Sequence, residues 1–386
     1  MGHAMRDLVG RSIETGRPIQ IRFDGRIRSI ESVDADVPPH RYVCPGFIDL
    51  QVNGFGGVDF NVASLSVCAA ERAARALLAH GTTRVLTTLI TAAPDELCAR
   101  ASRLREARAS SATVGQVFAG IHLEGPFLCP EDGPRGAHPK KHCRPPSYDE
   151  FRRIRDVSAG EIRLVTLAPE LPGSLALIEA LRKEGVIVAI GHHQAGDEAI
   201  DAAVRAGATL CTHLGNGCHA MLPRLANYVQ SQLADDRLLA SFIADGFHIP
   251  PGTLKNFIRA KGVERSILIT DAVGPAAAAG NEYALPFDDV EVLPDGRVVL
   301  PGTSFLAGST LTMPDAVANV AKWTGCTRAE AVRMATRNPA DAIGRPDLGR
   351  LEIGAVADII VIDWQETIAV RQTYLAGEPV LSAPAC

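Results

Sequence analysis

Hydrophobic runs of strand length recur through the middle of the chain. Eight of them lie between about Val43 and Ala342: VCPGFIDL, TRVLTTL, VFAGIHLEG, IRLVTLAP, VIVAIGHH, TLCTHLGN, LASFIADGFH and RSILITDAVG. Stretches with helical character separate most of these runs, and several end at a glycine, such as Gly81, Gly185 and Gly207. Eight strands that alternate with helices predict an α/β fold, a (β/α)8 TIM-like barrel. A doubly wound open sheet is the less favoured alternative, because its ligand-binding residues would cluster at one switch point and not at the ends of many strands.

The two ends of the chain have a different pattern. Ile19, Ile21 and Phe23 alternate with polar residues before Asp24 and Gly25, which predicts a hairpin. Residues 357–363 and 367–380 also have the pattern of strands, with an interruption at Gly377. We therefore expect a small β-sandwich module built from residues 1–42 and 345–386, and a barrel domain formed by residues 43–344.

Composition and charge exclude several classes of protein. Of the 386 residues 46% are hydrophobic and 22% are charged, which is typical of a folded globular chain. A net charge of −5 provides no field that would attract nucleic acid or an anionic membrane. The nine cysteines form no CxxC pair, and the chain has no signal-peptide pattern and no apolar run of roughly 18 residues. We expect reduced thiols and a cytoplasmic location.

Titratable residues fall at the ends of the predicted barrel strands. Glu124 ends the third strand, His192 ends the fifth, His213 lies late in the sixth, His248 follows the seventh and Asp271 closes the eighth. The carboxyl ends of barrel strands converge on one face, where active sites lie. One glutamate and two histidines are the ligand set of a catalytic zinc ion that keeps one position for water. A histidine at one strand end is usually a packed residue, but this combination favours a metal-hydrolase site with Glu124, His192 and His213 as ligands.

A series of short motifs along nearly the whole chain resembles the amidohydrolase superfamily, and specifically the N-acetylglucosamine-6-phosphate deacetylases. The motifs are PGFID (45–49), HGTT (80–83), HLEGP (122–126), GH (191–192), THL (212–214), DGFH (245–248), TD (270–271) and LAGS (306–309). The resemblance implies a metal-dependent barrel with a split β-sandwich that cleaves the acetyl amide of an amino sugar phosphate. It also implies a homodimer.

The resemblance further implies roles for individual side chains. Asp271 would take a proton from water and deliver it to the departing nitrogen. His138, in the long loop after the third strand, would contact the carbonyl oxygen of the substrate. The remaining substrate contacts would be His248 to a sugar hydroxyl, and Asn216, the backbone N–H of Gly217 and Arg224 to the 6-phosphate.

Two departures from the wider superfamily change the expectation. Many amidohydrolases have a His-x-His pair at the end of the first strand for a second metal, but this chain has Gln51 and Asn53 there. Neutral amides are poor ligands for transition metals. The fourth strand, LVTLAPE, also offers no lysine that could be carbamylated to bridge two metals. We therefore expect one divalent metal ion per chain, with zinc as the expected metal.

The sequence of the loop after His213 does not determine which substrate the protein binds. Relatives commonly have an Asn-Ala-Met run followed by an arginine, whereas this chain reads LGNGCHAMLPR, with Asn216 and Arg224 at the expected offsets. One alternative is an amidohydrolase of the same chemistry that deacylates a different N-acyl amino sugar, including an unphosphorylated one. A second alternative is a non-catalytic scaffold, although the presence of all three predicted ligands and of Asp271 argues against it.

Overall fold

The computed structural model describes residues 4–278 and 290–380 of the chain. The strands are β1 (Arg6–Ser12), β2 (Pro18–Phe23), β3 (Ile27–Ser32), β4 (Arg41–Pro45), β5 (Phe47–Val52), β6 (Gly54–Phe55), β7 (Val58–Asp59), β8 (Thr82–Ile90), β9 (Phe118–Glu124), β10 (Ile162–Leu167), β11 (Ile187–Ile190), β12 (Leu210–Cys211), β13 (Leu239–Ile243), β14 (Ser266–Ile269), β15 (Glu291–Val292), β16 (Val298–Val299), β17 (Ile359–Trp364), β18 (Ile368–Leu375) and β19 (Glu378–Pro379).

The helices lie mostly between consecutive strands of the central part of the chain. They are α1 (Val67–Ala79), α2 (Pro94–Ser110), α3 (Ala112–Val117), α4 (Tyr148–Val157), α5 (Ser174–Lys183), α6 (Asp197–Ala206), α7 (Tyr228–Ala234), α8 (Pro251–Lys261), α9 (Met313–Thr324), α10 (Arg328–Met334) and α11 (Arg337–Ala342). In the described part of the chain, none of them combines the length and the hydropathy needed to cross a bilayer.

Eight parallel strands form the predicted barrel. They follow one another in chain order, β5, β8, β9, β10, β11, β12, β13 and β14. The two ends of this sheet meet at a parallel bridge between Val52 and Ala272, and the backbone N–H of Asp271 donates to the carbonyl of Gln51 at 3.0 Å. Every residue of β5 and of β14 is buried, as expected for strands covered on both faces. The prediction of a (β/α)8 barrel is confirmed.

The helix signals in the sequence correspond to helices that cover this barrel. Helix α1 begins after Ser66, whose side chain accepts a hydrogen bond from the backbone N–H of Ala69. Its apolar face includes Ala70, Leu77 and Leu78, all of them buried. Gly81 follows with φ of +75°, a conformation that glycine adopts at no steric cost, and the chain then enters β8.

The strands from both ends of the chain form a second, seven-stranded sheet. Its order is β19, β18, β17, β4, β1, β2 and β3, with antiparallel pairing except between β1 and β4. The predicted hairpin is present as β2 and β3, and the predicted C-terminal strands are β17, β18 and β19. Because β17 pairs with β4, this module needs both ends of the chain.

The first predicted barrel strand, residues 43–50, is in fact divided between the two sheets. Strand β4 pairs with β17 in the terminal sheet, whereas β5 pairs with β8 in the barrel. Gly46 lies between them, where an added Cβ atom would be 2.4 Å from the side chain of Thr83. The chain therefore changes sheets at a close approach of two backbones, and the domain boundaries given above stay a prediction.

A buried ion pair joins the barrel to the terminal sheet. Arg84 in β8 donates from Nε to Oδ2 of Asp358 at 2.7 Å and from Nη2 to Oδ1 at 3.1 Å. The side chains are only 10% and 3% exposed. The same carboxylate accepts the backbone N–H of Ala376 at 2.8 Å. Asp358 thus has several donors, as a buried charge requires.

Candidate metal centre

Three predicted ligands lie at the ends of barrel strands. Glu124 is the last residue of β9, His192 follows β11 and His213 follows β12. Both histidines have a left-handed backbone, with φ of +52° at His192 and +30° at His213. This conformation is uncommon for residues other than glycine and is typical of functional sites, where the surrounding structure compensates its cost.

The three side chains converge on one buried point. Oε1 of Glu124 is 2.9 Å from Nε2 of His213 and 3.2 Å from Nε2 of His192, and the two Nε2 atoms are 3.0 Å apart. Ligands of a tetrahedral ion at about 2.0–2.2 Å are themselves separated by about 3.3–3.6 Å, slightly more than the separations found here. Two imidazole nitrogens and a carboxylate oxygen at these separations fit a shared divalent cation. Among the described residues, they form one group that could hold a metal ion.

Surrounding residues fix the orientation of the His192 ring. Its Nδ1 atom lies 2.9 Å from the backbone carbonyl of Pro134, so this nitrogen is the donor and Nε2 keeps a lone pair for a metal. Gly217 packs directly on the ring with φ of +56°, and a Cβ atom there would be 2.6 Å from Nδ1. The backbone of the loop after His213 therefore touches a predicted ligand.

Asp271 lies just after β14 and beside this triad. Its Oδ1 atom accepts hydrogen bonds from Nδ2 of Asn53 at 2.6 Å and from Nε2 of Gln51 at 3.1 Å. Burial and the neighbouring Glu124 carboxylate raise the pKa of Asp271 to about 7, while the Asn53 hydrogen bond acts in the opposite direction. The carboxyl group of Asp271 is therefore less acidic than that of an exposed aspartate.

His138 reaches the triad from the loop after β9. Its Nε2 atom is 3.2 Å from Nε2 of His192, and the two rings meet edge to face with centroids 4.3 Å apart. Burial lowers the pKa of His138 to about 3, with a further contribution from the neighbouring His192, so the ring is neutral. A neutral imidazole at this position can donate one N–H to a group placed beside the triad.

His248 lies in the loop after β13 and is held by Asp245. Its Nδ1 atom is 2.6 Å from Oδ2 of Asp245, whose Oδ1 atom also accepts the backbone N–H of His248 at 2.8 Å. Both residues line a cavity of about 170 Å³ that also includes Arg297 and Ser309. Asp295 and Asp315 also line this cavity, and Arg297 donates from Nε to Oδ2 of Asp295 at 2.8 Å.

The loop after His213 brings two of its three predicted phosphate ligands near the triad. Nδ2 of Asn216 donates to the carbonyl of His213 at 3.0 Å, and Gly217 contacts His192. Arg224 lies farther along the loop and is exposed, and no residue within the described ranges forms a hydrogen bond or ion pair with its side chain.

Comparison with known proteins identifies the family. Residues 42–380 match the amidohydrolase family. The chain belongs to the amidohydrolase family. This amidohydrolase is 39% identical to N-acetylglucosamine-6-phosphate deacetylase from Bos taurus over 354 residues, which cover 88% of this chain and 83% of the relative. It is 35% identical to N-acetylgalactosamine-6-phosphate deacetylase from Shewanella over 356 residues, 90% of this chain and 86% of the relative.

Solved structures support the same assignment for this amidohydrolase. It superposes with a TM-score of 0.85 and 31% identity on a mutant N-acetyl-D-glucosamine-6-phosphate deacetylase from Mycobacterium smegmatis in complex with N-acetyl-D-glucosamine-6-phosphate. The match covers 99% of this chain and 100% of that structure. The resemblance to these deacetylases is therefore confirmed, and with it the prediction of a metal-dependent hydrolase of carbon–nitrogen bonds.

Several contacts of this amidohydrolase site were not predicted from the sequence. Gln51 and Asn53 were expected only to leave a second metal without ligands, but both donate to Asp271. The partner of His248, Asp245, was not predicted either. The Asp-Gly pair three residues before that histidine was an available signal, because aspartates at such turns bind nearby backbone N–H groups. The triad, Asp271 and His138 are brought together as predicted, and their roles stay proposals.

Proposed function

We propose that this amidohydrolase hydrolyses the acetyl amide of N-acetylglucosamine 6-phosphate to glucosamine 6-phosphate and acetate. The observation that carries the proposal is the buried triad of Glu124, His192 and His213 with Asp271 beside it, at the strand ends where barrel enzymes have their active sites. The full-length similarity to a deacetylase in complex with this compound supports the substrate.

The triad would hold one divalent cation, for which we propose zinc. A carboxylate and two imidazoles suit this ion. When bound, zinc polarises a carbonyl group and makes a coordinated water molecule acidic near neutral pH. Gln51 and Asn53 offer neutral amides that direct their N–H groups toward carboxylates, which supports a single metal per chain.

Asp271 and His138 would carry the remaining chemistry. Asp271 would accept a proton from the attacking water and deliver it to the amide nitrogen as the carbon–nitrogen bond breaks, with the electron pair of that bond going to nitrogen. His138 would donate its N–H to the carbonyl oxygen while negative charge develops there. His248, held by Asp245, would bind a hydroxyl group of the sugar.

The phosphate group would bind at the loop after His213. Asn216, the backbone N–H of Gly217 and the exposed Arg224 would provide two or three charge-assisted hydrogen bonds, each worth about 1.5–3 kcal/mol. Removal of the phosphate from the substrate should lower kcat/KM by about 100-fold or more, and the variant Arg224→Ala, which removes one of these bonds, by about 10- to 150-fold. Acetate release from N-acetylglucosamine with and without the 6-phosphate tests this. Equal kcat/KM for the two compounds would reject the phosphate site.

A second candidate is deacylation of an unphosphorylated N-acyl amino sugar by the same residues. The cavity beside His248 favours it, because its lining has three aspartates and one arginine that is paired with one of them, a composition better suited to sugar hydroxyls than to a dianionic phosphate. Faster turnover of the free sugar would support this candidate. Absence of turnover of every N-acyl sugar in a panel, with metal bound, would instead support a non-catalytic scaffold.

The homodimer and the cytoplasmic location stay predictions. Met221 and Leu225 flank Arg224 and are 90% and 80% exposed, so this loop presents apolar side chains to its surroundings. Such a surface is typical of protein contacts. We propose that the loop contributes to a homodimer interface, and light scattering of the purified chain tests this. A monomer at micromolar concentration would reject it.

A further inference from the structure

Two amide side chains occupy the end of the first barrel strand, beside the metal centre. Gln51 lies in β5 and Asn53 follows that strand by one residue. Residues two apart on an extended chain point to the same side, so both amides face the interior of the barrel mouth. Both residues are buried. A buried amide needs hydrogen-bond partners, and the partners of these two define their role.

Both amides donate to the same carboxylate oxygen. Nδ2 of Asn53 lies 2.6 Å from Oδ1 of Asp271, and Nε2 of Gln51 lies 3.1 Å from the same atom. Nε2 of Gln51 also lies 2.9 Å from Oε1 of Glu124. The Gln51 amide therefore bridges the carboxylates of Asp271 and Glu124 and offsets the repulsion between them.

The orientation of the Asn53 amide is determined by Asp271. The Oδ1 atom of Asn53 is buried and has no hydrogen-bond partner among the described residues. The opposite orientation would place this oxygen against Oδ1 of Asp271, where two acceptors would repel. Asn53 thus directs its donor at the Asp271 carboxylate, and this hydrogen bond sets the orientation of its amide.

The backbone around these residues is tied together as well. The N–H of Asp271 donates to the carbonyl of Gln51 at 3.0 Å, and the N–H of Asn53 donates to the carbonyl of Ala272 at 2.7 Å. Strand β5 and the segment after β14 therefore hold Asp271 through its main chain, while the two amides hold its side chain.

We propose that Gln51 and Asn53 are positioning residues that fix the Asp271 carboxylate beside the metal centre. They act through neutral N–H donors, which leave the carboxylate free to take a proton from water and pass it on. A metal ion at the same place would bind the carboxylate and compete with that proton. This inference rests on the proposed function, since the role of Asp271 in proton transfer belongs to it.

The test uses the full chain loaded with zinc and the variants Asn53→Leu and Gln51→Leu, which keep side-chain size and remove the donors. Each variant should lower kcat by about 10- to 100-fold, the loss of one hydrogen bond to a charged group, and leave KM within about threefold. Zinc content should stay as in the wild type in Asn53→Leu, and Gln51→Leu is assayed at saturating zinc because Gln51 also donates to the ligand Glu124. A kcat within threefold of the wild type in both variants would overturn the proposal.

Asn61→Leu is the matched control. Asn61 donates to the carbonyl of Thr88 at 3.0 Å and accepts the N–H of Ile90 at 2.9 Å, and within the described ranges its side chain forms no hydrogen bond with Asp271. This variant should lower the melting temperature and change kcat by less than about threefold. A loss of kcat as large as in Asn53→Leu would mean that general loosening of the barrel mouth explains both, and would overturn the proposal.

Crystal structures of the wild type and of Asn53→Leu give a readout that does not depend on turnover. The Asp271 carboxylate should leave its wild-type rotamer in the variant, and an unchanged carboxylate would overturn the positioning role. If the wild type fails to deacetylate N-acetylglucosamine 6-phosphate, the proposed function fails, while these two structures still decide whether Asn53 positions Asp271.

Discussion

Gly217 offers a sharp test of the metal centre, because the loop backbone touches a predicted ligand there. Gly217→Ala would add a Cβ atom 2.6 Å from Nδ1 and 2.9 Å from Cε1 of His192, closer than such atoms can approach. The ring would have to move and lose its 2.9 Å contact with the carbonyl of Pro134. Loss of such an outer contact lowers metal affinity by about 10- to 100-fold, or about 1.4–2.7 kcal/mol.

The control must separate this displacement from backbone strain. Alanine in a left-handed conformation costs about 1–2 kcal/mol wherever it lies. Gly185 has φ of +74° and nothing within 4 Å of an added Cβ atom, so Gly185→Ala carries the strain alone. Chelator competition gives the zinc Kd of both variants, and thermal unfolding gives their stability. A zinc Kd of Gly217→Ala within threefold of that of Gly185→Ala would refute the reasoning.

Three further predictions concern proton transfer and stability. Asp271→Asn should keep its zinc and its fold. Because one group would serve both proton transfers, kcat should fall by more than the roughly 10²- to 10⁴-fold loss expected for one general acid or base. A variant that kept a tenth or more of the wild-type kcat would exclude this role. Burial raises the pKa of Asp49 from 3.8 to about 7, against hydrogen bonds from Thr270 and Gln51. The native state therefore binds this proton more tightly than the unfolded state does. As the pH rises from about 4 to about 7, the free energy of unfolding of the wild type should fall by up to about 4 kcal/mol relative to that of Asp49→Asn. Denaturant titrations of both proteins at several pH values measure this difference. Asp358→Ala leaves Arg84 buried without its partner and should destabilise the chain by about 3–5 kcal/mol in urea unfolding, whereas a change below 1 kcal/mol would mean that the pair does not join the two sheets.

The triad could be predicted from the sequence because the carboxyl ends of all barrel strands lie on the same face of the barrel. Glu124, His192 and His213 are up to 89 residues apart along the chain, yet each follows a hydrophobic run whose end lies on the same face. The short motifs around them added a specific resemblance. The left-handed backbone at the two histidines had no signal in the sequence, since only the packed loops impose it.

The contacts of Gln51 and Asn53 could not be predicted, because they depend on closure of the barrel. Asp271 lies 220 residues after Gln51, and the two meet only where the first strand approaches the last. The division of residues 43–50 between two sheets was hidden for a similar reason. Both halves are buried and apolar, so the hydrophobic run is continuous although its hydrogen-bonding partners change at Gly46.

The position of Arg224 depends on loop conformation, which residue offsets do not determine. The offset from His213 agreed with a phosphate ligand, but the side chain is exposed in the structure, whereas Asn216 lies against His213. A loop is held by contacts specific to each chain, such as the hydrogen bond from the N–H of His219 to the hydroxyl of Tyr228 at 2.9 Å.

Zinc titration of the metal-free chain tests the central claim most directly. Protein stripped with a chelator should release no acetate from N-acetylglucosamine 6-phosphate, and activity should rise in proportion to added zinc until one equivalent is bound. Glu124, His192 and His213 provide that single site, and the amides at positions 51 and 53 provide no second one. A plateau at two equivalents with proportional activity, or full activity in the metal-free chain, would contradict the account.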